Sequence, residues 1–206
     1  MKQKRNLKPG TMLYPLPAVI VTCGSTDGPS NMLTVAWTGT VCTNPPMVYI
    51  SVRPERHSYP LIEANMQFTI NLTTAALARA TDWVGVRSGR DFDKWAETGL
   101  TPVRGVAVEC PYIDESPLSL ECFVKSIIPL GSHNMIVAEV VNVLADEELF
   151  DPETDAFRLE DAGLLNYTHG HYYAQGEPLG KFGFSVQKKA ARKAGAKNNQ
   201  DNNQSR

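Results

Sequence analysis

A strong excess of charge of either sign is missing from this chain. Its 206 residues carry a formal net charge of −2, and charged side chains make up 20%. That balance gives no general reason to expect nucleic acid or an acidic membrane as partner. Cysteine is scarce as well: Cys23, Cys42, Cys110 and Cys122 form no Cys-x-x-Cys pair and do not cluster in sequence. Their spacing argues against zinc and for buried, reduced thiols in strands. The basic N-terminus is not followed by an unbroken apolar run, because Tyr14-Pro15-Leu16-Pro17 intervenes. A secretory signal would need such a run, so the chain reads as cytoplasmic. There is no Gly-x-Gly-x-x-Gly behind a strand, which excludes a Rossmann dinucleotide domain. A Gly-x-Ser-x-Gly elbow and a Ser-His-Asp order are absent too, which argues against a hydrolase. No internal repeat is present.

What the chain does have is a charge-free stretch from Gly28 to Val52. Asn31, Asn44, Ser51, four threonines and Pro45-Pro46 break it up, so it does not read as a membrane span. Val, Ile, Thr, Trp and Tyr favour strands, and Asn-Pro-Pro cannot lie inside a ladder. Two buried strands joined by a turn at Thr43-Asn44-Pro45-Pro46 are therefore expected, running over 31–37 and 47–53. Arg53, Arg56 and His57 arrive together at the end of the second, where a buried sheet meets potential anions.

The remaining pattern is mostly β. Residues 18–23 form an apolar, β-branched run followed by the Gly24-to-Pro29 turn, and residues 67–72 alternate as a half-buried strand. Helices are expected from Ser58, read as an N-cap before Pro60, over 74–84, and from Asp91 to a stop at Gly99. Residues 118–128 and 133–144 read as a hairpin around Gly131-Ser132. The acidic stretch 146–162 lacks an oxygen-ligand loop pattern and reads as a solvated excursion. His169 and His171, two apart, would face one side of a strand; without a third ligand they read as turn or interface residues, and no metal site is expected. One domain over 1–187 is expected. Residues 188–206 carry six basic side chains and one acid among Asn, Gln and Ala, so they are expected to be a disordered basic tail.

Taken together, Asn-x-x-Thr-x-Ala-Trp from Asn31, the Pro45-Pro46 turn, and Ser-Val-Arg-Pro-x-Arg-His-Ser-Tyr from Ser51 resemble the flavin reductase-like family, and within it the flavoredoxin-like branch. Phe68 to Leu72, Ser88 to Lys94 and Gly131-Ser132-His133 extend the likeness over roughly residues 10 to 185. The resemblance implies a mainly β fold, a Greek-key split β-barrel with peripheral helices that binds FMN, usually as a homodimer. It implies that the positions of Asn31, Met32, Leu33, Thr34, Ser51, Val52, Arg53, Ser58 and Lys94 line the cofactor. It also implies that His133 lies by the flavin and nicotinamide; the commoner Gly-Asp-His motif has Ser132 here in place of Asp.

On residue chemistry alone, a flavin needs positive charge for its phosphate, hydrogen bonds for the pyrimidine edge and an apolar wall. Arg53, His57, Ser58, Ser88 and Lys94 are suitable anion ligands, and the helix start at Ser58 adds backbone N–H groups. Gly89 allows a close backbone approach, and Asn71 breaks an apolar strand and needs a partner, cofactor or backbone. Each also has a bland reading: a solvated arginine, a helix cap, a solubilising lysine, a turn asparagine. Two functions stay open. One is an oxidoreductase taking hydride from NAD(P)H and passing electrons to free flavin or another acceptor. The other is a flavoredoxin-like electron carrier reduced by a partner protein. A barrel binding some other ligand is a third. Trp37, Trp83, Trp95, Phe123, Tyr167, Tyr172 and Tyr173 are expected to supply apolar surface to a dimer interface.

Overall fold

The computed structural model describes residues 2–186, so the expected disordered tail at 188–206 lies outside the described residues. In chain order the strands are β1 (Leu16–Pro17), β2 (Val19–Gly24), β3 (Ser30–Val35), β4 (Thr38–Cys42) and β5 (Met47–Val52), then β6 (Gln67–Leu72), β7 (Pro102–Val103) and β8 (Tyr112–Ile113). Two long strands, β9 (Leu118–Pro129) and β10 (Asn134–Ala145), and a short hairpin, β11 (Leu165–Thr168) and β12 (His171–Ala174), complete them. Three helices, α1 (Ser58–Asn65), α2 (Ala78–Val86) and α3 (Lys94–Thr98), are interspersed.

Seven strands pair antiparallel in the order β3-β2-β6-β9-β10-β5-β4. The two edge strands, β3 and β4, are joined only by Ala36 and Trp37. Three extended peptide steps reach roughly 11 Å, so the sheet must curl until its edges meet. The backbone N–H of Ser51 donates to Trp37 O at 2.9 Å, which carries the β4–β5 ladder one residue further toward that seam. The result is a mostly β barrel, split at the seam, with the helices outside.

The barrel interior holds Val19, Val21, Cys23, Leu33, Val35, Ile50, Phe68, Ile70, Cys122, Ile136 and Ala138, closed off by Tyr59 and Ile62 of α1. The outer face of β2 and β3 is also covered: Ile20 and Met32 pack with Val84, Leu100 and Ile113, and with Trp83 and Trp95 from α2 and α3. β2 is therefore buried at every position. A strand buried on both faces needs the nearly continuous apolar run seen there, and its one hydroxyl, Thr22, donates to Pro111 O. Trp83 and Trp95 pack, partly buried, against this second core.

Several expectations are corrected. The charge-free stretch makes three strands, because Ala36-Trp37 lets the chain cross from one sheet edge to the other. His57, not Ser58, is the N-cap of α1, and it makes no side-chain cap bond. α2 starts at Ala78 because Thr74 is held in a bridge to Leu164. α3 starts at Lys94 because Asp93 Oδ1 accepts from the N–H groups of Trp95 and Ala96, a side-chain cap. His169 lies in the β11–β12 turn with φ 45° beside Gly170 at φ 89°, so it does not share a strand with His171. The described residues up to Gln175 form one compact unit. None of the described helices is long and apolar enough to cross a membrane.

Candidate functional site

The edges of the curled sheet leave a cleft between β3, the end of β5 and the C-terminal end of α2. It has two lobes, cavities of about 400 and 360 Å³, which share Leu33, Thr34, Arg53, Arg56 and Gly85 along their common wall. Both volumes fall in the range of small-molecule sites.

The smaller lobe is cationic. Arg53, Arg56, Arg87 and Lys94 line it with His57, Ser58 and Ser88, against the single carboxylate of Glu55. Glu55 is a weak counter-charge: Arg53 Nη1 lies 3.4 Å from its Oε1, with both side chains more than half exposed, a geometry worth little in water. Arg56 Nη1 donates to Gly85 O at 3.4 Å, and the Arg87 guanidinium sits 5.3 Å from the Phe92 ring centroid. Asn31 holds the lobe's inner wall. Its Nδ2 donates to Ser58 Oγ at 2.8 Å, and its Oδ1 has no partner among the described residues. Gly89 lies against it so closely that a Cβ there would sit 2.4 Å from Asn31 Oδ1, which requires glycine at this turn.

Lys94 stands out for its burial. It begins α3 yet is only 4% exposed. Nζ donates to Met32 O of β3 at 2.8 Å and to Val84 O near the C-terminal end of α2 at 2.7 Å. A cation beside the last carbonyls of a helix is electrostatically favoured. Burial still lowers its pKa to about 8, with the Arg56 charge adding to the effect and Cys23 opposing it. Cys23, opposite Asn31 in the sheet, is itself pushed up to about 12 by burial.

The larger lobe is aromatic and apolar. Val35, Val52 and Val86 line it with Trp37, His133, Tyr167 and Tyr172, and Asp82 is its one carboxylate. The Trp37 and His133 rings are 4.6 Å apart. The Tyr167 and Tyr172 rings pack edge-on at 5.5 Å. His133 sits just before β10, and Ser132 Oγ lies 2.9 Å from its Nδ1, so the serine does orient the imidazole. Partial burial and the Arg53 charge lower the His133 pKa, with Glu55 opposing, so the ring is neutral at neutral pH.

An FMN molecule has a phosphate at one end and a flat ring system at the other, and the donor set of the two lobes fits it. Arginines, hydroxyls and a buried ammonium face one end, and rings and valines face the other. Of the residues singled out from sequence, Asn31, Leu33, Thr34, Ser51, Val52, Arg53, His57, Ser58, Ser88, Gly89, Lys94 and His133 line the cleft. Met32 is brought near through its carbonyl, while its fully buried side chain belongs to the outer core. Asn71 is not brought there. Its Oδ1 accepts from Ile113 N and Ser119 Oγ, and its Nδ2 donates to Ile20 O and Thr22 Oγ1, so its hydrogen-bonding capacity is used inside the fold.

The family model for the flavin reductase like domain matches residues 11–176. The chain belongs to the flavin reductase-like family. Among solved structures, flavoredoxin of Desulfovibrio vulgaris (Miyazaki F) superposes with a TM-score of 0.82 at 30% identity, over 90% of this chain and 100% of that one. Flavoredoxin from Methanosarcina acetivorans superposes at 0.80 with 23% identity over 90% and 100% of the two chains, a likeness of fold. The FMN reductase (NADH) RutF of Cronobacter turicensis is 22% identical over 157 residues, 75% of this chain and 84% of its own. Within this flavin reductase-like cleft, sequence reasoning set Arg56 at the anion-facing strand end without naming it as a ligand, missed Arg87, and left Trp37, Tyr167 and Tyr172 to a dimer interface. For Arg56 the signal was present: it follows Arg53 by three residues, on the same turn into α1.

Proposed function

We propose that this protein binds FMN in the two-lobed cleft and works as an oxidoreductase, taking hydride from NAD(P)H and passing electrons to free flavin or another acceptor. The observation that carries the reading is the joined pair of lobes, one cationic and one aromatic. Arg53, Arg56, Ser58 and Ser88 hold the phosphate, since charge-assisted contacts to an anion are the strong ones. Asn31 stands beside Ser58 in the phosphate lobe, Thr34 on the wall common to both lobes meets the polar edge of the ring, and the valines supply its wall. Bound FMN supplies the hydride-accepting centre, and the chain's own task is to stack and orient the donor. His133, neutral and held by Ser132 and Trp37, is placed to position the nicotinamide at the open side of the aromatic lobe. A purified protein that is colourless and takes up no added FMN would overturn the reading.

A second reading, an electron carrier reduced by a partner protein, is favoured by the full-length likeness to a flavoredoxin at 30% identity. Anaerobic mixing with NADH or NADPH separates the two: the oxidoreductase bleaches within seconds and the carrier does not. We also read the protein as a homodimer. Val41 and Val143, each about half exposed, and Ile128 and Leu130 on the β9–β10 hairpin offer apolar surface. Sedimentation at nanomolar concentration should show FMN and the dimer being lost together. A monomer holding stoichiometric FMN would contradict this.

A further inference from the structure

The aromatic lobe has a floor and a rim. Leu33, Val35 and Val52 line it as buried side chains, whereas Asp82 lines it from an exposed position on α2. Asp82 forms no ion pair among the described residues, although Arg79 precedes it by three positions on the same helix. Burial and the neighbouring Asp82 charge push the Tyr172 hydroxyl up to about 12, so Tyr172 stays neutral beside the carboxylate. A solvated carboxylate on a helix is ordinary. This one lines a cavity of rings and valines whose cationic side chains, Arg53 and Arg56, lie on the wall shared with the phosphate lobe.

We propose that Asp82 is a specificity-determining residue for the ring that stacks on the flavin: its carboxylate favours cationic planar rings over neutral ones and turns away aromatic carboxylates. The inference deepens the proposed function and rests on it, because FMN must first lie on the floor of the lobe and match Arg53 and Arg56 with its phosphate. Once those arginines are matched, Asp82 is the charge left uncompensated at the rim, where a second ring enters.

The charge suits a hydride donor of the dihydropyridine class. Such a ring is neutral until one of its C–H bonds breaks. The hydrogen and both bonding electrons pass to the flavin, and the ring left behind is a pyridinium with one positive charge. A carboxylate at the rim attracts that charge as it develops, while the neutral ring feels little of it, so the interaction favours the transfer itself. An aromatic carboxylate offered as electron acceptor meets repulsion at the same place. In a solvent-facing site the attraction of one sign and the repulsion of the other together amount to about fivefold or more in affinity between rings of one shape. Salt screens exposed charges, so the discrimination should shrink as ionic strength rises.

The test is titration of the full-length, FMN-loaded protein with three rings of nearly one shape, followed by the flavin's visible spectrum at low and at high salt. The rings are the ring-methylated nicotinamide cation, neutral nicotinamide and the nicotinate anion. At low salt the cation should bind at least about fivefold more tightly than the anion, with nicotinamide between them. Asp82→Asn, of equal size, should bring the cation and anion within about twofold, and Asp82→Glu should keep the preference. Glu97→Gln, on an exposed part of α3 outside both lobes, controls for the protein's overall charge. Equal binding of the three rings, no spectral change with any of them, or a preference unchanged in FMN-loaded Asp82→Asn would overturn the inference and leave FMN binding intact. Loss of FMN from a folded Asp82→Asn would overturn it too, by placing the carboxylate against the cofactor. A wild-type protein that takes up no FMN would overturn the proposed function with it.

Discussion

Asn31 and Asn71 flank the same strand, one on each side of β2, and are used in opposite ways. Asn31 pairs with Cys23 across β3 and Asn71 with Ile20 across β6. Both are buried. Asn71 has its polar atoms partnered by Ile20, Thr22, Ile113 and Ser119, so it ties β2, β8 and β9 to β6. Asn31 makes one side-chain bond, to Ser58, and keeps its oxygen toward the cationic lobe. Glu121 belongs with Asn71: fully buried, it accepts from Val106 N, Ala107 N and Asn142 Nδ2 and pins the loop before β8. A buried polar group with every partner present is scaffold; one left short at a cavity points to a ligand.

That contrast is sharpest where a side chain is removed. Asn71→Ala strands the Ile113 N–H and the Ser119 hydroxyl inside the protein. Stability should fall by about 3 kcal/mol or more, read by urea denaturation, with FMN affinity of the folded fraction unchanged. Arg53→Ala should do the reverse. FMN affinity should drop by about tenfold to a hundredfold, with the apoprotein's stability within about 0.5 kcal/mol of wild type. Arg90→Ala is the control, because Arg90 donates to the Glu55 carbonyl and does not line the lobe. Equal dissociation constants for the two arginine variants would break the assignment.

Smaller effects refine the comparison. Asn31→Ala removes a single bond to Ser58, so about 1 kcal/mol in stability and a few-fold in FMN affinity are expected, far from the Asn71 cost. The thiols give the mildest probe. Burial pushes Cys23 and Cys110 up to about 12 and Cys122 higher still, while Cys42 is half-buried at the sheet edge. A thiolate is the reactive form. An aromatic disulfide reagent at pH 8 should therefore label one thiol of the native protein quickly and all four only after unfolding.

Much of this was legible in the sequence because it depends on local pattern. The β-branched run at 18–23 and the alternation at 67–72 mark strands, and the order of Asn31, Thr34, Arg53, Ser58 and Gly89 marks the cleft. What escaped depends on which strands become neighbours. Nothing near Lys94 in sequence says that carbonyls of Met32 and Val84 will enclose it. Asn71 looked like a cofactor ligand because a polar residue in an apolar strand demands a partner, and the partners came from β2, β8 and β9. The aromatic residues were assigned to a subunit interface because composition cannot separate an outer core or a cleft wall from exposed surface. Trp83 and Trp95 pack against the first, and Trp37 and Tyr172 line the second.

The central claim is that the arginine-bearing lobe holds a phosphate and the aromatic lobe a flavin ring. Flavin fluorescence titration with FMN and with riboflavin, on wild type and on Arg53→Ala, tests it most directly. Wild type should bind FMN at least about tenfold more tightly than riboflavin, and the variant should lose most of that ratio while keeping its riboflavin affinity. Equal affinity for the two flavins in wild type, or a ratio untouched by Arg53→Ala, would contradict the account.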